Sequence, residues 1–224
     1  MGIDQPIIGN NEQHIPRFRN YATVEGQIDG DLAFSDECLD CCVGVVDIVN
    51  STKISASLPE SKLGKYYGIF LNTMSHIVRD FGAQVVKNVG DSLLYYFPDT
   101  SNPAKKFGFM KCLECSLAMI EAHHEINAML LEEDIPLLDY RVSADFGGVS
   151  LARSRKSLIV DIFGTPVNIC TKINCKAQPN NVVIGGDLHR LVRDFRDYEF
   201  VGVGGFSVGF KFQYPVYSVL RRKI

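Results

Sequence analysis

The chain of 224 residues lacks any apolar run near the roughly 20 residues that a membrane-crossing helix needs. Its start, MGIDQPIIGNNEQ, lacks a basic stretch leading into an apolar one, so neither a span nor a secretory leader is expected, and a soluble, cytoplasmic protein is. It also lacks an excess of charge, with 23 Lys and Arg against 26 Asp and Glu and a formal net charge of -3. No electrostatic drive toward nucleic acid follows, and the run Arg221-Arg222-Lys223 is too short to supply one. A disulfide framework is missing as well, because the seven cysteines are odd in number and scattered from Cys38 to Cys175. Cys38-x-x-Cys41 and Cys112-x-x-Cys115 have zinc-like spacing, but the second pair falls in a helical pattern, so the thiols read as small apolar residues. Met1-Gly2 is followed by Pro6 where a myristoylation signal has Ser or Thr.

What is present is a composition of 46% hydrophobic and 22% charged residues, enough for one globular domain with a full core. Residues 1 to 35 are polar, carry Gly, Pro and Asn at irregular spacing and read as an arm; residues 36 to 224 read as the domain. The continuous apolar run at 41 to 46 predicts a strand buried on both faces, ending at Asp47. Leu63, Tyr67, Phe70, Met74, Ile77 and Phe81 recur at three and four, which predicts a helix stopped by Gly82. Strands at 84 to 89 and 92 to 97 form a hairpin turning at Gly90-Asp91. A second helix over 104 to 131 has Phe107, Met110, Leu113, Leu117, Ile120 and Ile126 as its apolar stripe. Strands at 139 to 150 and 157 to 162 follow, then a short helix with Pro166 in its first turn, a strand at 182 to 184, a helix near 187 to 195 and two closing strands. The order predicts an α/β (α+β) fold with a mainly antiparallel sheet.

Two aspartates leave apolar runs at strand ends, Asp47 and Asp91. A βαββ order brings the first strand's end beside the hairpin turn, and two adjacent carboxylates repel unless one takes a proton or a cation sits between them. Small polar residues after Asp47 make a turn able to aim backbone N-H groups at a phosphate. Asp47 and Ser51 equally fit a plain helix cap, and this stretch alone leaves both readings open. His123 and His124 are adjacent on a helix, point in different directions and make a poor metal pair.

DIVNST at 47 to 52, KNVGDSLLYYF at 87 to 97 and DIFGTPVNICTKIN at 161 to 174 together resemble the class III nucleotidyl cyclase catalytic domain. The resemblance covers about residues 40 to 220. It implies a ferredoxin-like βαββαβ core with added strands and helices after it, working as a head-to-tail homodimer on a nucleoside triphosphate. By the same resemblance Asp47, Asp91 and the carbonyl of Ile48 hold two divalent cations, Mg2+ or Mn2+, and Val49, Asn50, Ser51 and Thr52 hold phosphates. The partner copy supplies Lys87 and Asp161 to read the base, a pair that favours ATP, and Asn168 matches the asparagine that orients the ribose. Taken alone, Lys87 also fits a solvated strand-end lysine and Asp161 a turn residue.

Two departures stand out. The family pattern has an arginine where this chain has Lys172, which keeps the charge and loses the planar fork. A late lysine that reaches the terminal phosphate is absent or displaced to Lys211, which competes with a plain surface lysine on the closing hairpin. The GG[DE]EF signature of diguanylate cyclases is not present. The resemblance thus implies a cyclase making a 3′,5′-cyclic nucleotide and pyrophosphate, adenylate cyclase first; control is expected from substrate supply, the arm or another protein, an unidentified regulator or cyclic-nucleotide effector. Two alternatives stay open: a pyrimidine cyclase making cyclic UMP or CMP in antiviral signalling, and a catalytically weak nucleotide-binding or dimerisation module.

Overall fold

The structure, a computed structural model, describes residues 32–154, 160–207 and 213–222. Residues 1 to 31, most of the expected arm, and Lys211 lie outside the described residues. The elements run β1 (Leu32–Ile48), α1 (Ser51–Ser57), α2 (Glu60–Asp80), β2 (Gln84–Val89), β3 (Ser92–Phe97), α3 (Lys106–Glu121), α4 (His123–Glu132), β4 (Tyr140–Ser154), β5 (Val160–Gly164), α5 (Thr165–Asn174), β6 (Asn181–Gly185), α6 (Gly186–Val192), β7 (Tyr198–Ser207) and β8 (Gln213–Arg221). The strands form one sheet in the order β2-β3-β1-β4-β6-β8-β7, with β5 also paired to β4. Every described pairing is antiparallel except β4 with β6. The first four sheet positions are those of a split βαββαβ unit, as the resemblance implied.

The two-residue period of the strands sorts side chains between two faces. On β1, Cys42, Val46 and Ile48 enter a large core, while Cys41, Val43 and Val45 enter a second cluster on the other face. This is the doubly buried strand expected at 41 to 46, with Cys41, Cys42, Val43, Val45 and Val46 0 to 5% exposed and Gly44 buried. The larger core lies against α2, α3, α4 and α6; the opposite face is covered by α5 and β5. Five cysteines, Cys41, Cys42, Cys112, Cys115 and Cys170, are buried, and burial pushes the Cys41 thiol up to about 12.

Three expectations are corrected. β1 begins at Leu32 rather than near 41, because its first half pairs with β4 beyond the part that pairs with β3, and that two-stranded ribbon leaves Asp40 exposed. The expected helix over 104 to 131 is two, broken at Ala122, and its stripe is rotated: Phe107 is 63% exposed, while Phe109, Cys112, Cys115 and Met119 are buried. So many of its residues are apolar that periodicity did not single out one face. β5 runs to Gly164, two residues past the expected end at Ile162, and residues 157 to 159 of the expected strand lie outside the described residues.

Asp145 of β4 is wholly buried, accepts the Leu188 N-H of α6 at 3.1 Å and the Tyr214 hydroxyl of β8 at 2.6 Å. Gly185 makes room for it, since a Cβ there would lie 2.4 Å from the Asp145 carboxyl carbon. Burial pushes this carboxyl up to about 6, against the opposing pull of those bonds. The native state therefore holds a proton that the unfolded chain, with an ordinary value of about 4, releases earlier. Stability is then expected to fall as pH rises from about 4 to about 6, by on the order of 2 to 3 kcal/mol. Urea titrations across that range should give a flatter pH profile for Asp145→Asn than for the parent.

Candidate active site

Asp47, second from the end of β1, stands opposite Ser92 on β3 and opposite Arg141 on β4. The strand period puts all three on the α5 face, since their neighbours Leu93, Tyr140 and Val142 face the larger core. The Ser92 hydroxyl donates to Asp47 Oδ1. Asp91 follows Gly90, whose φ of 63° makes the tight hairpin turn. Burial pushes the Asp47 carboxyl up; the Ser92 bond opposes this, the Asp91 charge adds to it and Arg141 offsets part. The two aspartates therefore feel each other, as the βαββ order required.

The loop after β1 settles the choice between a cap and an open turn. Asn50 adopts a left-handed conformation, φ 57°, and no side chain caps α1. Neither Asp47 nor Ser51 is used as a cap, so both remain available to a ligand beside Thr52. Val49 differs from expectation, because its N-H already donates to the Asp139 carbonyl at 2.8 Å. That donor is already engaged within the fold.

A cavity of about 120 Å³ is lined by Val45, Asp47, Ser92, Arg141, Thr171, Asn174 and Cys175. Arg141 was not singled out from sequence, because only strand register places it across from Asp47. Its Nε is buried and has no hydrogen-bond partner among the described residues. A buried donor of this kind is costly unless an acceptor arrives, and an anionic oxygen in this cavity would serve. The donor set beside it suits a hard divalent cation: two carboxylates, the Ile48 carbonyl and oxygens of a bound phosphate. Among the described residues no group of three or more His, Cys, Asp and Glu assembles.

A second cavity, of about 380 Å³, adjoins the first through Val45, Ser92 and Thr171, and Lys87, Leu94, Phe163 and Asn168 also line it. Lys87 reaches it through a β-bulge. The β2/β3 register shifts between Val85 and Lys87, so that Lys87 stands opposite Leu94, whose side chain faces α5. Without that shift Lys87 would share the face of Val85. Its Nζ pairs with Asp161 Oδ2 on β5 and lies 5.9 Å from the Phe163 ring. Asp161 Oδ1 also accepts the Ile162 N-H at 2.8 Å, which fixes the carboxylate's direction.

Helix α5 presents Asn168 and Thr171 to this cavity, and Lys172, one turn after Asn168, is exposed and lines neither cavity. The helix is bound to the sheet by buried polar bonds. Ser143 Oγ donates to the Cys170 carbonyl at 3.0 Å, and Asn174 Nδ2 donates to the Arg141 carbonyl at 3.2 Å and to Ser143 Oγ at 3.2 Å. The structure thus brings Lys87, paired to Asp161, and Asn168 to one cavity and Asp47 and Arg141 to its neighbour.

The profile of the adenylate and guanylate cyclase catalytic domain matches residues 35–220. An adenylate cyclase of Streptomyces coelicolor is 28% identical over 142 residues, 63% of this chain and 31% of that protein. One of Streptomyces griseus is 29% identical over 144 residues, 64% of this chain and 30% of its own. The match thus spans less than a third of either relative's length. In three dimensions the chain is similar to the adenylyl cyclase CyaB from P. aeruginosa, TM-score 0.74 at 21% identity over 84% of this chain and 96% of that one. It is similar also to the guanylyl cyclase Cya2, TM-score 0.71 at 17% identity over 82% and 92%. With the profile covering most of the domain and the fold shared, the chain belongs to the adenylate and guanylate cyclase catalytic domain family.

Proposed function

We propose that this chain converts a nucleoside triphosphate, ATP by preference, to its 3′,5′-cyclic monophosphate and pyrophosphate, at sites shared by two copies arranged head to tail. The observation that carries the reading is the Lys87 to Asp161 pair, made across 74 residues of sequence at a cavity that also holds Asn168. A lysine donor and a carboxylate acceptor side by side match the ring acceptor and amino group along one edge of adenine. The apolar lining from Val45, Val89, Leu94, Ile162 and Val167 suits a flat heterocycle.

The two halves of the chemistry sit on one face of each copy. Asp47, Asp91 and the Ile48 carbonyl would hold Mg2+ or Mn2+, two ions per site; when bound, such ions neutralise charge at the α-phosphate and make the 3′-hydroxyl easier to deprotonate. Arg141 would accept the triphosphate as the missing partner of its buried Nε. From the facing copy, Lys87 and Asp161 would hold the base, Asn168 the ribose and Lys172 the negative charge at phosphorus. Most of the rate gain comes from position and fixed charge. A head-to-tail partner is supported by the uneven cover of the sheet: the α5 face carries Phe163, 40% exposed, and Val89, 58% exposed, beside an open cavity.

Incubating the protein with each of the four ribonucleoside triphosphates and Mn2+, and identifying the products by mass, tests the reading. Cyclic AMP is expected as the main product, and Asp47→Ala should abolish turnover while leaving the unfolding midpoint within about 1 kcal/mol of the parent. A cyclic pyrimidine product would overturn the assignment of Lys87 and Asp161. No turnover of any triphosphate would favour the binding-module alternative. Lys172 gives a second expectation, since a guanidinium at this position can bind two phosphate oxygens at once. Lys172→Arg should raise kcat, by roughly 10-fold, with little change in base preference.

A further inference from the structure

We propose that His123 is a positioning residue for the loop that follows Asp47, acting through Asp139; the inference rests on the cyclase reading above for the meaning of that loop. The chain leaves β1 at Ile48, which pairs with Tyr140, and the next N-H, that of Val49, donates to the Asp139 carbonyl at 2.8 Å. Whatever fixes residues 138 to 140 therefore fixes where Asp47, Ile48 and Asn50 stand.

Three side chains clamp that segment. Asn127 accepts the Leu138 N-H at 2.9 Å and donates to the Leu138 carbonyl at 3.0 Å. Asn180 donates to Asp139 Oδ1 at 2.7 Å and accepts the Tyr140 N-H at 3.2 Å, while its own N-H donates to the Tyr140 carbonyl at 2.7 Å. His123 Nε2 lies 3.0 Å from the Leu138 carbonyl and 3.1 Å from Asp139 Oδ1. Both of those oxygens accept only, and in the tautomer with its proton on Nε2 the ring donates to them. The amide nitrogen of Asn127, 2.9 Å from Nε2, carries two N-H groups and donates one to the Leu138 carbonyl. Within this cluster His123 is the side chain that ties residue 138 to the carboxylate of residue 139. Its ring also lies 5.7 Å from that of Tyr140.

The placement of His123 explains a feature that the sequence pattern missed. It opens α4, immediately after the break at Ala122 that separates α4 from α3. The break aims the imidazole at the start of β4, so the helices on the far face of the sheet hold the candidate phosphate loop on its near face. His123 lines neither cavity at the site, so it acts through Asp139 and Val49 and does not touch a ligand.

Two measurements on the full chain test this. Amide hydrogen exchange of residues 48 to 52 should quicken in His123→Ala by about tenfold, the loss expected for one cooperative hydrogen bond. His123→Gln, which places an N-H near the position of Nε2, should restore the parental rate. In turnover with Mn2+, the Ala variant should raise the KM for triphosphate, or the Mn2+ needed for half activation, by roughly 3- to 10-fold with the order of base preference unchanged. Should His123→Ala not fold, Asn180→Asp, which sets a like charge against Asp139, should quicken the same amides. Unchanged exchange in these variants, or a Gln variant no better than Ala, overturns the proposal. Absence of turnover in the parent would count against the cyclase reading alone, because exchange at Val49 is read without catalysis.

Discussion

The arrangement depends on β1 being paired along both edges at its carboxyl end. Asp47 has Ser92 on one side and Arg141 on the other, fixed by antiparallel register with β3 and β4. A shift of one residue in either pairing would turn the whole set to the opposite face, into the core beneath α2 and α3. Burial of Val46 and Ile48 on one side and Val45 on the other makes such a slip costly. The electrostatics of the site follow from this register: a half-buried carboxylate, a second carboxylate at the adjacent turn, and a guanidinium with a buried donor left open.

The sheet's two faces then divide the labour. One is packed by α2, α3, α4 and α6 and supplies most of the core. The other has α5 and β5, held by buried bonds from Ser143 and Asn174, and leaves two adjoining cavities beside them. The β2/β3 hairpin contributes to both: Asp91 at its turn approaches Asp47, and Lys87, moved across the sheet by a bulge, pairs with Asp161. In the proposed dimer these two hairpin residues serve different sites. That is why the same short segment carries so much of the reading.

Much of this was legible in the sequence, for identifiable reasons. The strand at 41 to 46, the hairpin at Gly90-Asp91 and the α2 stripe have strong local signals, and the three motifs fixed the family and the order of elements. What was not legible depends on register and on long-range pairing. Arg141 is an ordinary arginine at a strand start until its partner across β1 is known. The bulge at Val86 has no marker in the sequence, since neither Gly nor Pro is there. The loss of the Val49 amide to Asp139 requires knowing that residues 49 and 139 meet. The α3 stripe failed for a different reason: several faces were apolar enough to be buried, and tertiary packing chose among them.

The central claim is that each site draws Asp47 and Asp91 from one copy and Lys87, Asp161 and Asn168 from the other. Mixing two inactive variants, Asp47→Ala and Asn168→Ala, tests it most directly. A mixed dimer would place both defects in one site and leave the other intact. With free exchange of subunits, cyclase activity is predicted to return to about a quarter of the parent's, since half the dimers are mixed and each has one of two sites whole. A mixture no more active than its two components, under conditions where exchange is demonstrated, would contradict the account and place the whole site within a single chain.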